Sequence, residues 1–241
     1  VLIDIVSLFD EGFFEGPLKY SILARAIERK LIEIRYTNIR DFSKDKHKKV
    51  DDRPFGGGPG MVMTPQPLVD ALRSVRKTKS SYCVYLSPQG KSLNAKKCNE
   101  LARKEHLVLL SGHYEGIDQR VIDLEVDEEI SIGDYVITNG ALASIVLVDG
   151  VMRFVPGVLG NPEGASKDTF EEGGFEGPQY TRPEVFESMQ VPKVLLNGNH
   201  KLIEEWRKKE GLRKTRMIRP DLYEKELLKQ LMNRKIKGEK Q

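Results

Sequence analysis

Short β-rich apolar runs alternate with stretches of helical periodicity over the first half of the chain, and that alternation constrains the fold more than any other feature. "LIDIVSL" (2–8) reads as a buried strand, and "PLKYSILARAIERK" (17–30) as a helix with apolar positions at helical spacing. "LIEIRYTNI" is again β-rich. "TPQPLVDALRSVRK" predicts a helix started near Thr64 and Pro65, "YCVYL" a strand, "SLNAKKCNELARK" a helix and "HLVLLSG" another strand. The pattern implies a layered α/β domain, and no short internal repeat stands out. Residues 114–154 then set polar turns between apolar segments ahead of a helix. Residues 155–183 are rich in Gly, Pro and acids and read as a mobile connection or lid, and the chain from about Pro183 onward as a smaller, basic, helical domain.

At 241 residues, 39% hydrophobic and 31% charged, the chain has material for one or two packed domains and is no disordered polymer. Two cysteines, Cys83 and Cys98, supply neither a disulfide framework nor a zinc cluster, which fits a reducing cytoplasm. The opening "VLIDIVSLFDEGFF" is interrupted by Asp4, Asp10 and Glu11, so it is poor leader or anchor material and no membrane partner is expected. The net charge of +3 is uneven: from Lys201 to Gln241 there are 14 Lys/Arg against 7 Asp/Glu. Such an end can attract a nucleic-acid backbone, or be an ordinary solvated helical surface.

"DDRPFGGGPGMVM" (51–63) raises the question of a phosphate cradle, but no Gly-Lys-Ser/Thr ending follows it. "SGHYEGIDQR" (111–120) follows a strand, where ligands are favoured; it equally suits a capping turn before a helix near Ile117. "YLSPQGKSLN" (85–94) and "ISIGDYVITNGALAS" (130–144) are two further strand-edge loops. Tyr85, Leu86, Pro88, Ile132, Tyr135 and Leu142 can enclose an apolar or adenine-like group there, with Ser87 setting polarity, or simply pack around turns. Arg153 and Asp168 pair a guanidinium that can stabilise oxygen charge with a carboxylate that can take a proton. Asp10, Asp51, Asp52, Asp118 and Asp134 compete for the acid/base role, and on residue type alone surface polarity explains the pair better. The histidines His47, His106, His113 and His200 are too dispersed for a metal site, and no nucleophile elbow occurs.

Taken in order, "RPFGGGPGMVM", "YLSPQG", "SGHYEGIDQR", "SIGDYV", "RFVPGVLG", "YTRPEVF" and "LLNGNHKLIEEWR" cover nearly the whole chain. In them the sequence closely resembles bacterial tRNA (guanine-37 N1)-methyltransferases of the knotted SPOUT superfamily. The resemblance implies an α/β, SPOUT-type parallel-sheet domain with a deep C-terminal trefoil knot over residues 1–160, a flexible connection over 161–176, and a small helical tRNA-binding domain over 177–241. It implies a cytoplasmic homodimer whose active sites lie at the subunit interface, acting beside the tRNA anticodon with S-adenosyl-L-methionine as methyl donor and with Mg2+. By position, Asp168 resembles the general base for guanine N1, Arg153 the group that stabilises charge on O6, and Glu115 an active-site carboxylate. The implied cofactor cavity comprises Tyr85, Leu86, Ser87, Pro88, Gly112, His113, Tyr114, Glu115, Ile132, Gly133, Tyr135, Ile137, Gly140 and Leu142. The glycine-rich stretch becomes a wall of that site, touching it through Pro59 and Gly60. Three departures stand out: His113 where the family commonly has Arg, "TNGALA" (138–143) for "SGGELP", and Thr169 in "DTF" for "DSF". They imply altered cofactor affinity rather than lost chemistry.

Overall fold

The protein is described by a computed structural model covering residues 1–76, 80–160, 169–170 and 174–238. It divides into two compact units, Val1–Pro162 and Glu163–Gln241. No helix among the described residues is long and apolar enough to cross a membrane.

In the first unit, β1 (Leu2–Ser7), β2 (Glu33–Asn38), β5 (Ser81–Ser92), β6 (His106–Ser111) and β7 (Glu128–Ser131) form one sheet. Its order is β2-β1-β6-β5-β7 and every pairing is parallel. A short antiparallel ribbon, β3 (Asp51–Asp52) with β4 (Val62–Met63), stands apart. The inner strands β1, β6 and the first half of β5 read as largely apolar runs because both faces of the sheet are covered there, whereas the edge strands β2 and β7 are more polar. Alternate residues divide between two cores, as the two-residue period of a strand requires. Ile3, Ile5, Val84, Leu86, Leu107 and Leu109 face helices α1 (Glu11–Leu18), α2 (Ser21–Glu28), α4 (Ala95–Ala102) and α6 (Gly140–Met152). Val6, Cys83, Tyr85, Val108 and Leu110 face α3 (Pro65–Val75) and α5 (Gln119–Glu125).

Two expectations change. The single helix expected over 17–30 is two short ones, α1 and α2, broken where Tyr20 turns extended. Each is an amphipathic piece that buries its own pair, Phe14 with Leu18 and Leu23 with Ala26, in the same core. The "SPQGKS" half of the 85–94 segment is not a free turn. β5 runs on through it, pairing Leu86 with Ile130 and, after a register shift, Ser92 with Ser131.

The second unit holds the hairpin β8 (Val185–Phe186) and β9 (Met189–Gln190), then helices α7 (His200–Ile218) and α8 (Pro220–Gly238). Asn199 caps α7 by accepting from the Leu202 N–H at 3.2 Å. Thr215, buried in α7, accepts from the Phe175 N–H at 2.8 Å and donates to the Gly211 carbonyl at 2.8 Å, fixing the incoming chain along the helix. Phe170 meets Phe175 edge to face, and Thr169 N–H donates to Glu176 at 2.8 Å.

Candidate active site

The carboxyl ends of β5, β6 and β7 open onto one cavity of about 400 Å3, the position where parallel α/β sheets place ligands. Three chain segments and the start of α6 form its walls. Tyr85 to Pro88 come from β5, Gly112 to Glu115 from the loop after β6, and Ile132, Tyr135, Ile137 and Gly140 from the segment between β7 and α6. Of the cavity residues expected from the sequence, Gly133 and Leu142 do not line it. Gly133 is tied back to Ser131, whose hydroxyl donates to the Gly133 carbonyl at 2.9 Å and accepts from its N–H at 3.2 Å. Leu142, the third residue of α6, lies on its exposed side. The structure adds Gln89, Gln119, Glu129, Ser131, Thr138 and Asn139, among others. Gln89 and Asn139 were adjacent to residues already singled out; Glu129 enters only through its long-range pairing with Tyr85, which no local pattern reveals.

Two contacts hold the start of α6 against the end of β6, and a third bond lies within the helix. Gly140 N–H donates to the Gly112 carbonyl at 2.9 Å, the buried hydroxyls of Ser111 and Ser144 lie 2.7 Å apart, and Ser144 donates to the Gly140 carbonyl at 3.2 Å. Asn139 caps the helix by accepting from the Leu142 N–H at 3.2 Å. A Cβ at position 140 would come within 2.9 Å of the Gly112 nitrogen and 3.2 Å of the Ser111 Cα, so only glycine permits this backbone approach. Tyr85 packs beneath Gly112, and burial pushes its phenol up to about 12. It remains an O–H donor at neutral pH.

The 113–117 loop is strained and tightly supported. Tyr114 takes φ +58, and its N–H donates to His113 Nδ1 at 2.8 Å. Nδ1 is therefore the acceptor nitrogen, which assigns the ring proton to Nε2. The His113 ring lies 4.7 Å from that of Tyr114 and 5.8 Å from Phe9, which stacks on Phe13. Three backbone bonds dock the glycine-rich segment onto this loop: Glu115 N–H to Met61 O at 3.0 Å, Met63 N–H to Gly116 O at 3.0 Å, and Asp118 N–H to Met63 O at 3.1 Å. Neither Pro59 nor Gly60 lines the cavity. Gly60, at φ +80, instead lies against Glu115, where a Cβ would fall 2.8 Å from the carboxylate carbon. The glycine-rich loop thus shapes the position of Glu115 rather than cradling a ligand itself.

Asp118, one of the competing carboxylates, is used structurally. It caps α5 by accepting from Arg120 N–H at 3.0 Å and pairs with the Arg120 guanidinium at 2.7 Å, which holds its carboxyl below the usual range. Arg153 is the exposed C-cap of α6 and does not line the cavity, and Asp168 lies outside the described residues. Among the described residues no group of three or more His, Cys, Asp or Glu could hold a metal ion.

Comparison with known proteins assigns this architecture. Residues 1–225 match the family model described as tRNA (guanine-1)-methyltransferase TrmD. A tRNA (guanine-N(1)-)-methyltransferase of Protochlamydia amoebophila is 60% identical over 222 residues, spanning 92% of this chain and 99% of that protein. Proteins of the same name from Chlamydia pneumoniae and Chlamydia trachomatis serovar D are each 56% identical, over 98% and 92% of this chain. The chain spans only 65% and 62% of the length of those two. The chain belongs to the bacterial tRNA (guanine-N1)-methyltransferase family of SPOUT enzymes.

Proposed function

We propose that the chain transfers a methyl group from S-adenosyl-L-methionine to N1 of guanine 37 in tRNA, beside the anticodon, as a cytoplasmic homodimer. The observation that carries this reading is the cavity at the ends of β5, β6 and β7, built from the segments that carry the family resemblance. Its fit to the donor rests on chemistry as well as place. The Gly112–Gly140 approach lets backbone form a close wall, the Tyr85 hydroxyl and the Gln89 and Gln119 amides can meet adenine and ribose edges, and Leu86, Ile132 and Ile137 give apolar cover. The bound donor supplies an electrophilic methyl carbon on a sulfonium sulfur.

The chain's own groups then act on the guanine. The Asp168 carboxylate takes the N1 proton, and the Arg153 guanidinium donates to O6, where negative charge gathers as that proton leaves. The freed N1 lone pair forms the N1–C bond as the C–S bond breaks, leaving S-adenosylhomocysteine. Glu115, held by Gly60 at the cavity rim, positions the incoming base. A Mg2+ ion would find Glu115 as its carboxylate here, its remaining ligands coming from water and substrate oxygens.

The dimer is supported by the geometry of α6. Gly140 borders the cavity while Arg153 caps the opposite end of the helix, about 20 Å away along its axis. That separation exceeds the reach of an arginine side chain, so a site combining Arg153 with the cavity draws on two copies. A knotted threading of the 85–92, 112–118 and 132–140 segments is supported by β5 lying between β6 and β7 and by the Gly140–Gly112 bond. Incubating unmodified tRNA transcript with protein and labelled methyl donor, then mapping the product by mass, tests the reading. Label on N1 of guanine 37 is the expected result; label elsewhere, or none, overturns it.

A further inference from the structure

A second cavity, of about 730 Å3, lies wholly within the Glu163–Gln241 unit, between the extended chain that enters from Pro178 and the first turns of α7. No part of the methyl-transfer chemistry uses it. It is lined by the apolar Leu195 and Ile203, by Tyr180 and Glu184, and by two arginines, Arg182 and Arg207. The packing of Phe175 on Thr215, and of Gly177 against the Arg207 backbone, sets the entering chain along the helix. Arg182 and Arg207 therefore converge from segments distant in sequence.

Among the described residues those two cations have no carboxylate partner: none lies within 4.0 Å of either, Glu184 included, whereas elsewhere in the same unit Arg213 and Arg219 are paired with Glu210 and Asp221 at 2.8 and 2.7 Å. Tyr180 is half exposed, and behind it, at 6.3 Å between ring centres, stands Trp206. An aromatic face beside an apolar lining suits a base plane. Paired guanidiniums suit phosphate oxygens, and a carboxylate can accept from an exocyclic amine. Phosphate oxygens are exposed on any RNA, but a free base face is available only on a nucleotide out of its helical stack, because a duplex hides base faces.

We infer that this cavity binds one unstacked loop nucleotide of the tRNA substrate, separate from the guanine that is methylated. The inference rests on the tRNA-methyltransferase reading for the identity of the RNA. The phosphate is held by Arg182 and Arg207, and the base lies on Tyr180. Engaging a loop nucleotide here discriminates a tRNA carrying an open anticodon loop from plain duplex.

Trp206 is the chain's sole tryptophan and reports on the site directly. Its emission is followed while the full chain is titrated with an unmodified anticodon stem-loop transcript or with a blunt RNA duplex of equal length. The stem-loop should quench it and the duplex should not. Arg207→Ala and Tyr180→Leu should each raise the KM for tRNA about tenfold, with kcat and the affinity for S-adenosyl-L-methionine held at wild-type values. Tyr180→Phe, which keeps the ring, should restore the wild-type KM. Stem-loop binding without quenching, KM values within twofold of wild type, or dissociation of the dimer in the variants, which would mark the cavity as a seat for a second copy, each overturn the proposal. Quenching by stem-loop in a wild-type protein that transfers no methyl group would sink the enzymatic reading while leaving the nucleotide site standing. Normal methylation with neither quenching nor a KM change would sink the site alone.

Discussion

Gly140 serves two structures at once, opening α6 and bordering the cavity. Its N–H bond to the Gly112 carbonyl and the absence of a side chain are what allow the loop after β6 and the start of α6 to touch. Gly140→Ala should therefore weaken binding of S-adenosyl-L-methionine at least tenfold by calorimetry, because its Cβ must push the Gly112 backbone into the cavity; unchanged affinity would contradict that geometry. The neighbouring departure from the family pattern is also explained at this scale. "TNGALA" loses an acid and a proline, but it places Asn139 where its side chain caps α6. Asn139→Ala should lower stability by about 1 kcal/mol in urea denaturation, and a change within error of zero would refute the cap. Nothing in the sequence alone distinguished Asn139 from an ordinary loop residue, since a cap is recognisable only once the helix start is known. Cys83 gives a pH signature. Burial pushes its thiol up to about 12, while an unfolded cysteine ionises near 8.5. The folded chain keeps the proton over that window, so stability is full below about 8.5 and falls as pH rises towards 12. Between pH 8 and 10.5 the wild type should lose about 2 kcal/mol more than Cys83→Ala. Parallel pH dependence of the two proteins would refute it.

Among the elements, the strands of the core were the most legible, because a parallel sheet covered on both faces writes itself as apolar runs such as "HLVLLS". The split of 17–30 into α1 and α2 was not, because Leu18, Ile22 and Ala26 recur every four residues straight across the break and Tyr20 carries no turn signal such as glycine. The continuation of β5 through Pro88 and Gly90 was hidden for a different reason. Those residues signal a turn locally, and the pairing with β7 that overrides the signal is long-range. The cavity follows the same division. Its loops could be nominated one by one from post-strand position, yet their meeting depends on α6 being drawn to β6 by Ser144 and Ser111. This contact is small, and its predicted effect is specific. Ser144→Ala leaves the buried Ser111 hydroxyl without that partner and should cost about 1–3 kcal/mol of stability. It should also raise the KM for S-adenosyl-L-methionine more than it lowers kcat at saturating donor, which steady-state kinetics would separate; a pure loss of kcat would show that α6 is not positioned through this pair.

For the whole molecule, the chain forms two compact units, Val1–Pro162, which holds the parallel sheet, and Glu163–Gln241, which holds the two long helices. What no single-chain pattern could express is the separation of the cavity from Arg153 by the length of α6. On the proposed reading, a chain with its donor cavity at one end of a helix and the arginine that meets O6 at the other is incomplete by itself, and a two-fold dimer would complete it by exchanging the same surfaces reciprocally. Subunit mixing tests it most directly. With the donor kept well below the weakened affinity of Gly140→Ala, that variant lacks a filled cavity and Asp168→Asn lacks the base, so each homodimer should be nearly inactive in single-turnover methylation of guanine 37. After the two are unfolded and refolded together in equal amounts, half of the dimers are mixed and each has one intact site, so about a quarter of wild-type activity should return. Recovery of that activity is the expected result; a mixture as inactive as its parents, with mixed dimers verified by mass, would contradict a site shared between subunits.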